Sequence, residues 1–159
     1  MSQGTLATHL AWQALVTLLT AQLPAFNVAA ISDRDFNEAG EIIMDPPSIR
    51  IFFAGEVARA TSDSQRLSYE VEGRYGVLCA DQDLSSVANQ AFASATLLDQ
   101  VKSALCGARL LLADGETTEP VQWVNTEPLP VDGIGVAYSL GFVVPGLAQF
   151  AGTNAQGVA

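Results

Sequence analysis

Leu67-Ser68-Tyr69-Glu70-Val71-Glu72-Gly73-Arg74-Tyr75-Gly76-Val77-Leu78-Cys79-Ala80 is the stretch whose reading decides the fold. Leu67, Tyr69, Val71, Gly73, Tyr75, Val77 and Cys79 alternate with Ser68, Glu70, Glu72, Arg74, Gly76 and Leu78. Successive side chains of a strand point to opposite faces, so this period of two predicts a long strand with one apolar and one polar face. Gly73 and Gly76 predict a bulge or bend partway along it. Just upstream, Ser48-Ile49-Arg50-Ile51-Phe52-Phe53 is rich in β-branched and aromatic residues and reads as a second strand. Residues 48–53 and 66–80 together predict an antiparallel hairpin, joined by a polar turn region over residues 55–64 that projects beyond the sheet.

Helices flank this hairpin. Over residues 5–23, Leu6, Leu10, Trp12, Leu15, Val16, Leu18 and Leu19 recur at three-to-four spacing, with Thr5 as the expected cap and Pro24 as the stop. A strand follows at residues 26–31. Residues 32–47 then read as a long connection with a short strand near 41–44, because Asp33, Asp35, Asn37, Gly40 and Pro46-Pro47 break regular structure. A second helix spans residues 85–106, capped by Asp83, Ser85 or Ser86, with Val87, Ala91, Ala95, Leu98, Val101 and Leu105 as its buried stripe. Gly107 sits where a left-handed C-terminal residue is wanted. Strands are expected at residues 109–113, 120–126 and 135–144, with an Asp114-Gly115 turn after the first and Pro145-Gly146 ending the last. In the last, Val136, Tyr138, Leu140, Phe142 and Val144 share one face. The sum is an α+β domain over residues 1–145, a mostly antiparallel sheet with a long β-hairpin and two helices packed on one face. Residues 146–159, poor in groups to bury, read as a flexible C-terminal tail.

Composition narrows the function. The chain has 159 residues, 49% apolar and only 15% charged, where about 25% charged is usual. So little charge predicts that a partner covers part of the surface. Seven basic against seventeen acidic residues give a net charge of −10, without the clustered Lys and Arg of a nucleic-acid binder. Cys79 and Cys106 read as buried free thiols, with no metal-ligand spacing. The apolar stretch at residues 10–19 lacks a charged leader and is too short to span a bilayer, which predicts synthesis in the cytosol and no membrane partner.

No catalytic constellation emerges. His9 is the only histidine and reads as a solvated helix residue, since a Ser-His-Asp or Cys-His arrangement would need it as base. Asp33 with Asp35, and Asp81 with Asp83, offer two carboxylates each, too few for a cation loop, and read as cap and loop residues. Glu70 and Glu72 project from one strand face about 7 Å apart. As a glycosidase pair they would need a sugar cleft that nothing else supports, and Arg74 continues their face. Gly133-Ile134-Gly135 precedes a strand, the wrong context for a dinucleotide loop. Trp12 and Trp123 read as core or interface residues. The chain reads as no enzyme and as needing no cofactor or metal.

The layout resembles a known family, the tail terminator (tail-completion) proteins of Mu-like long-tailed phages. The resemblance is carried by Pro47-Ser48-Ile49-Arg50-Ile51-Phe52-Phe53-Ala54-Gly55-Glu56 and by Tyr69 to Ala80 of the long strand. Leu97-Leu98-Asp99-Gln100-Val101-Lys102-Ser103-Ala104-Leu105-Cys106-Gly107 and Gly135-Val136-Ala137-Tyr138-Ser139-Leu140-Gly141-Phe142 extend it over roughly residues 5–145. It implies a structural virion protein, a homo-hexameric ring at the head-proximal end of the tail, assembled in the host cytoplasm. Such a ring stops polymerisation of the tail tube, joins it to the head-completion or connector proteins, and lets DNA through without sequence-specific binding. The resemblance also makes Gly55, Glu56, Arg59, Ser62, Asp63 and Arg66 a candidate contact loop to the tube or a neighbouring subunit, and Glu70 and Glu72 a candidate acidic channel face. Two other readings stay open: another head–tail connector ring or tail-tube subunit, and a small ligand-binding α+β domain.

Overall fold

A computed structural model describes residues 6–43, 47–59, 68–81, 87–131 and 135–150. Its first element, α1 (Ala7–Gln22), buries Thr8, Ala11, Leu15 and Leu19 on one stripe against the sheet. Leu6 is the N-cap residue, makes no side-chain cap bond and is itself exposed; the expected cap, Thr5, lies outside the described residues. The helix stops at Gln22, just before Pro24, as the proline dictates.

Five strands follow: β1 (Asn27–Ala30), β2 (Ser48–Ala58), β3 (Ser68–Ala80), β4 (Gln122–Val131) and β5 (Gly135–Phe150), with α2 (Val87–Leu105) between β3 and β4. They form one sheet in the order β1-β2-β3-β5-β4, in which β1 runs parallel to β2 and every other pair is antiparallel. Both helices pack on the same face, over a core containing Leu15, Leu19, Ile49, Ile51, Tyr75, Val77, Cys79, Val101, Leu105, Leu140 and Phe142. Each large aliphatic group buried there contributes about 1.5–3 kcal/mol. The expected α+β architecture, with its long hairpin and two helices on one face, is what the chain adopts.

Several boundaries differ from the sequence reading, each for a physical reason. Strand β2 does not end at Phe53 but runs on to Ala58, through a bulge between Phe53 and Gly55. Gly55 sits at φ 120° with open space around it, so its glycine serves a backbone conformation inside a strand and does not open a turn. Likewise Pro145-Gly146 does not end β5: the strand continues to Phe150, and its register against β3 shifts between Val71 and Gly73, opposite a Gly146 at φ 74°. Residues 146–150, assigned to a flexible tail, are thus strand; residues 151–159 lie outside the described residues.

Residues 109–113 contribute only an isolated bridge, Leu111 to Thr117, and no strand of the sheet. The connection 32–43 forms a 3-10 turn (Asp33–Asp35) and a bridge from Phe36 to Ile42, where a strand near 41–44 was expected. In α2, Leu98, Val101 and Leu105 are buried as expected, whereas Ala95 is exposed and Leu97 is buried in addition. The side chains of Val87 and Ala91, and the caps Asp83, Ser85 and Ser86, lie outside the described residues. Cys79 is fully buried, but Cys106 is exposed, because Leu105 takes the last inward position and the chain then turns away at Gly107.

The predicted polar face of β3 is polar only at its far end. Glu70 and Arg74 are exposed and Glu72 half-buried, whereas Leu78 and Ala80 are buried with Ala137 beneath Ile31, Ile42, Phe52 and Leu129. The connection 31–43 folds over that end of the outer face, and the ring of Phe52 lies on Gly76 where a Cβ would stand.

Candidate functional site

One of the candidate contact residues, Arg59, meets the candidate acidic face. Backbone pairing carries β2 past its bulge until Arg59 N–H donates to the Glu70 carbonyl at 2.8 Å. The Arg59 guanidinium then lies on the outer face of β3, donating to Glu72 Oε1 at 3.0 Å, 3.8 Å from Glu70 Oε1 and 4.0 Å from Glu119 Oε2. The Glu72 hydrogen bond, followed by the charges of Glu72, Glu70 and Glu119, raises the Arg59 pKa and keeps the guanidinium charged. Glu70 and Glu72 are therefore not a bare acidic face: one cation answers both. Glu119 is the member that sequence reading missed. It lies sixty residues from Arg59, and only the pairing of Gln122 with Val143 carries the segment before β4 alongside β5.

Of the proposed contact residues, Gly55 and Glu56 lie within β2 and Arg59 follows its last residue, so residues 55–58 are strand where a turn region was expected. Glu56, across from Gly73, points to the helix face near Tyr75, the opposite side from Arg59's carboxylates. Ser62, Asp63 and Arg66 lie outside the described residues.

Around this cluster the sheet leaves apolar groups uncovered at both edges. Among the described residues β1 pairs with β2 from Ser48 to Ile51 and no strand pairs with the other side of residues 52–58, where Phe53 is 39% and Val57 40% exposed. At the opposite edge, β4 exposes Trp123 (45%) and Val124 (59%). Trp123 lies under the Lys102 ammonium, 4.7 Å from the ring centroid, and its Nε1 donates to the carbonyl of Asn125. On the helix layer, a groove of about 720 Å³ runs between α1 and the bridge segment, lined by Leu10, Ala14, Leu18, Ala21, Arg109 and Leu111. Leu111 is 70% exposed there.

Two described groups have a raised proton affinity set by burial. Burial, with a smaller contribution from Glu56, raises the Tyr75 pKa, and burial alone raises that of Cys79. Both groups are core residues outside the groove, and the Tyr75 hydroxyl donates to the Thr8 carbonyl. A smaller crevice of about 390 Å³ between the helices holds Asp99 as its one ionisable side chain. His9 is exposed and 3.2 Å from the side-chain nitrogen of Gln13. Asp35 is a cap: its carboxylate accepts from the Ser32 N–H and from Arg50 Nε, both at 2.9 Å. Among the described residues no three His, Cys, Asp or Glu side chains cluster as metal ligands, and no helix is long and apolar enough to cross a membrane.

No protein-family model matches the chain, and no curated protein matches it significantly in sequence. Among solved structures, a chain in the virion of a native gene transfer agent particle is 15% identical with a TM-score of 0.43, each chain covered over 84% of its length. A chain in the tail of an empty gene transfer agent particle, solved with C6 symmetry, is 14% identical with a TM-score of 0.27, covering 64% of this chain and 78% of that one.

Proposed function

We propose that this chain is a structural subunit of a phage-type tail, a tail terminator that closes into a ring, caps the head-proximal end of the tube and stops its growth. The observation that supports it best is the pair of uncovered apolar edges on opposite sides of one sheet, Phe53 and Val57 on β2, Trp123 and Val124 on β4. Two different patches on opposite sides suit a head-to-tail contact between copies, which generates a ring when the rotation closes. The charge-poor composition agrees, because a subunit enclosed by neighbours needs less polar surface of its own. The resemblance of the hairpin, second helix and closing strand to tail terminators supplies the hexamer, the tube and head-completion partners, and the passage of DNA.

In this reading the protein has no catalytic step. Its mechanism is assembly: the edges join subunits, and the outer face of β2 and β3 around Arg59, Glu70 and Glu72 meets the tube or the next subunit. Net charge of −10 keeps DNA from adhering to the ring by repulsion within about one Debye length. Native mass measured across a concentration series tests the ring. Six copies of a 16.7 kDa chain give about 100 kDa, the expected species. Filaments growing with concentration would instead favour a tube subunit, and a monomer that persists in the presence of tails would sink the ring.

A further inference from the structure

Residues 1–32 hold no Asp, Glu, Lys or Arg; the chain's seven basic and seventeen acidic residues all come after them. Helix α1 lies within this run. A helix with one face on the core ordinarily carries charged groups on the opposite face. On α1, His9, Gln13, Thr17 and Thr20 stand exposed where such groups would, and Leu6 is 52% exposed at its start. Their polar atoms turn back onto the helix. The Thr17 hydroxyl donates to the Gln13 carbonyl at 3.0 Å and the Thr20 hydroxyl to the Val16 carbonyl at 2.7 Å. The His9 and Gln13 side-chain nitrogens stand 3.2 Å apart. A hydroxyl already bonded to its own helix keeps that bond when water leaves, so covering this face costs little.

This helix stands beside one of the exposed sheet edges. Trp12 Nε1 donates to the carbonyl of Ile51, the last β2 residue that pairs with β1, at 2.9 Å. Phe53 packs on the Tyr75 ring with 5.7 Å between centroids, and the Tyr75 hydroxyl donates to the Thr8 carbonyl of α1. Resting on the ring reading, we infer that the outward face of α1 is part of the contact between subunits, covered by the neighbouring copy that meets Phe53. Charge selects that occupant. Each copy carries −10, so two copies repel wherever their carboxylates face each other, and α1 brings none to the contact. The groove on the flank of α1 has Arg109 as its one ionisable lining side chain among the described residues, which offers a cation to an acidic neighbour.

Two measurements on the full chain test this. Gln13→Glu and Thr17→Glu each place a carboxylate on the face, and each should raise the concentration at which the ring half-forms by about tenfold. Gln100→Glu adds the same charge to an exposed position of α2 and should match the parent. Far-UV circular dichroism checks that every variant keeps its helices. An equal shift in all three would make the effect one of net charge, and no shift in the α1 variants would leave the face outside the contact; either overturns the inference. Thiol labelling of Gln13→Cys in a Cys106→Ser chain reads the covering directly, and should be about tenfold slower in the ring than in the dilute, dissociated chain. An unchanged rate in an intact ring overturns the inference and leaves the ring standing. Protection that appears only on assembled tails gives the face to another tail protein, which overturns it too. A parent chain that never assembles fails the ring reading itself, and native mass on the same samples tells that failure apart.

Discussion

Arg50 and Asp35 bind each other with side chains only 12% and 8% exposed, and Arg50 also donates to the Asn27 and Ile49 carbonyls. Removing one partner of such a pair strands the other, so Arg50→Ala should cost about 3 kcal/mol in urea unfolding. The double change Asp35→Leu with Arg50→Met should cost far less, since it leaves no buried charge alone. Gly76 is a second pressure point: Gly76→Ala drives a methyl group into the Phe52 ring, at a cost of about 1–3 kcal/mol that Phe52→Leu should partly relieve. Burial also sets the alkaline limit. Cys79 and Tyr75 are held neutral in the fold, above their ordinary values of 9.0 and 10.0. Once unfolded they ionise at those ordinary values, so the unfolded chain binds fewer protons above them. Stability from these groups is complete below pH 9 and is lost as pH rises beyond 9 and then 10. Cys79→Ala and Tyr75→Phe should each flatten that decline in pH-dependent unfolding. A thiol reagent should modify Cys106 at once and Cys79 only in denaturant. The sequence made Asp35 legible as a cap, through its place in a loop. Its bond to Arg50 was not legible, because it depends on how residues 32–43 fold back over β2.

At the scale of elements, strands were easier to place than to end. Alternation in β3 and β5 is strong enough to survive its bulges, so both were placed on the right face. Gly55 and Pro145-Gly146 were read as turns because bulges use the same residues as turns, and only the partner strand decides between them. The stripe of α2 held at Leu98, Val101 and Leu105 but ran too far toward Ala95, because Leu97, one turn before Val101, faces the core as well. Strand β4 carries a prediction of its own. It is a sheet edge blunted by Pro128 and Pro130, by a register shift between Trp123 and Asn125 and by the Trp123 indole on the Asn125 carbonyl. Pro128→Thr with Pro130→Thr would restore two amide donors to that edge. Little loss of melting temperature is expected, with a marked rise in light scattering on standing; unchanged scattering would mean the prolines do not guard the edge.

For the whole molecule, the exposed apolar groups at the two sheet edges, Phe53 and Val57 on β2 and Trp123 and Val124 on β4, are where the proposed contact between copies is tested. If β2 and β4 edges form the ring contact, Trp123→Lys and Val57→Lys should each lower native mass toward 16.7 kDa without lowering the melting temperature. The shortage of charge predicts a covered surface, but which surface that would be depends on strand order, which composition does not carry. The most direct measurement is tail length by electron microscopy in particles assembled with and without this protein. With it, the account predicts tails of uniform length joined to heads; without it, tubes of irregular, extended length and detached heads. Uniform tails that still join heads in its absence would contradict the claim that this chain ends the tube.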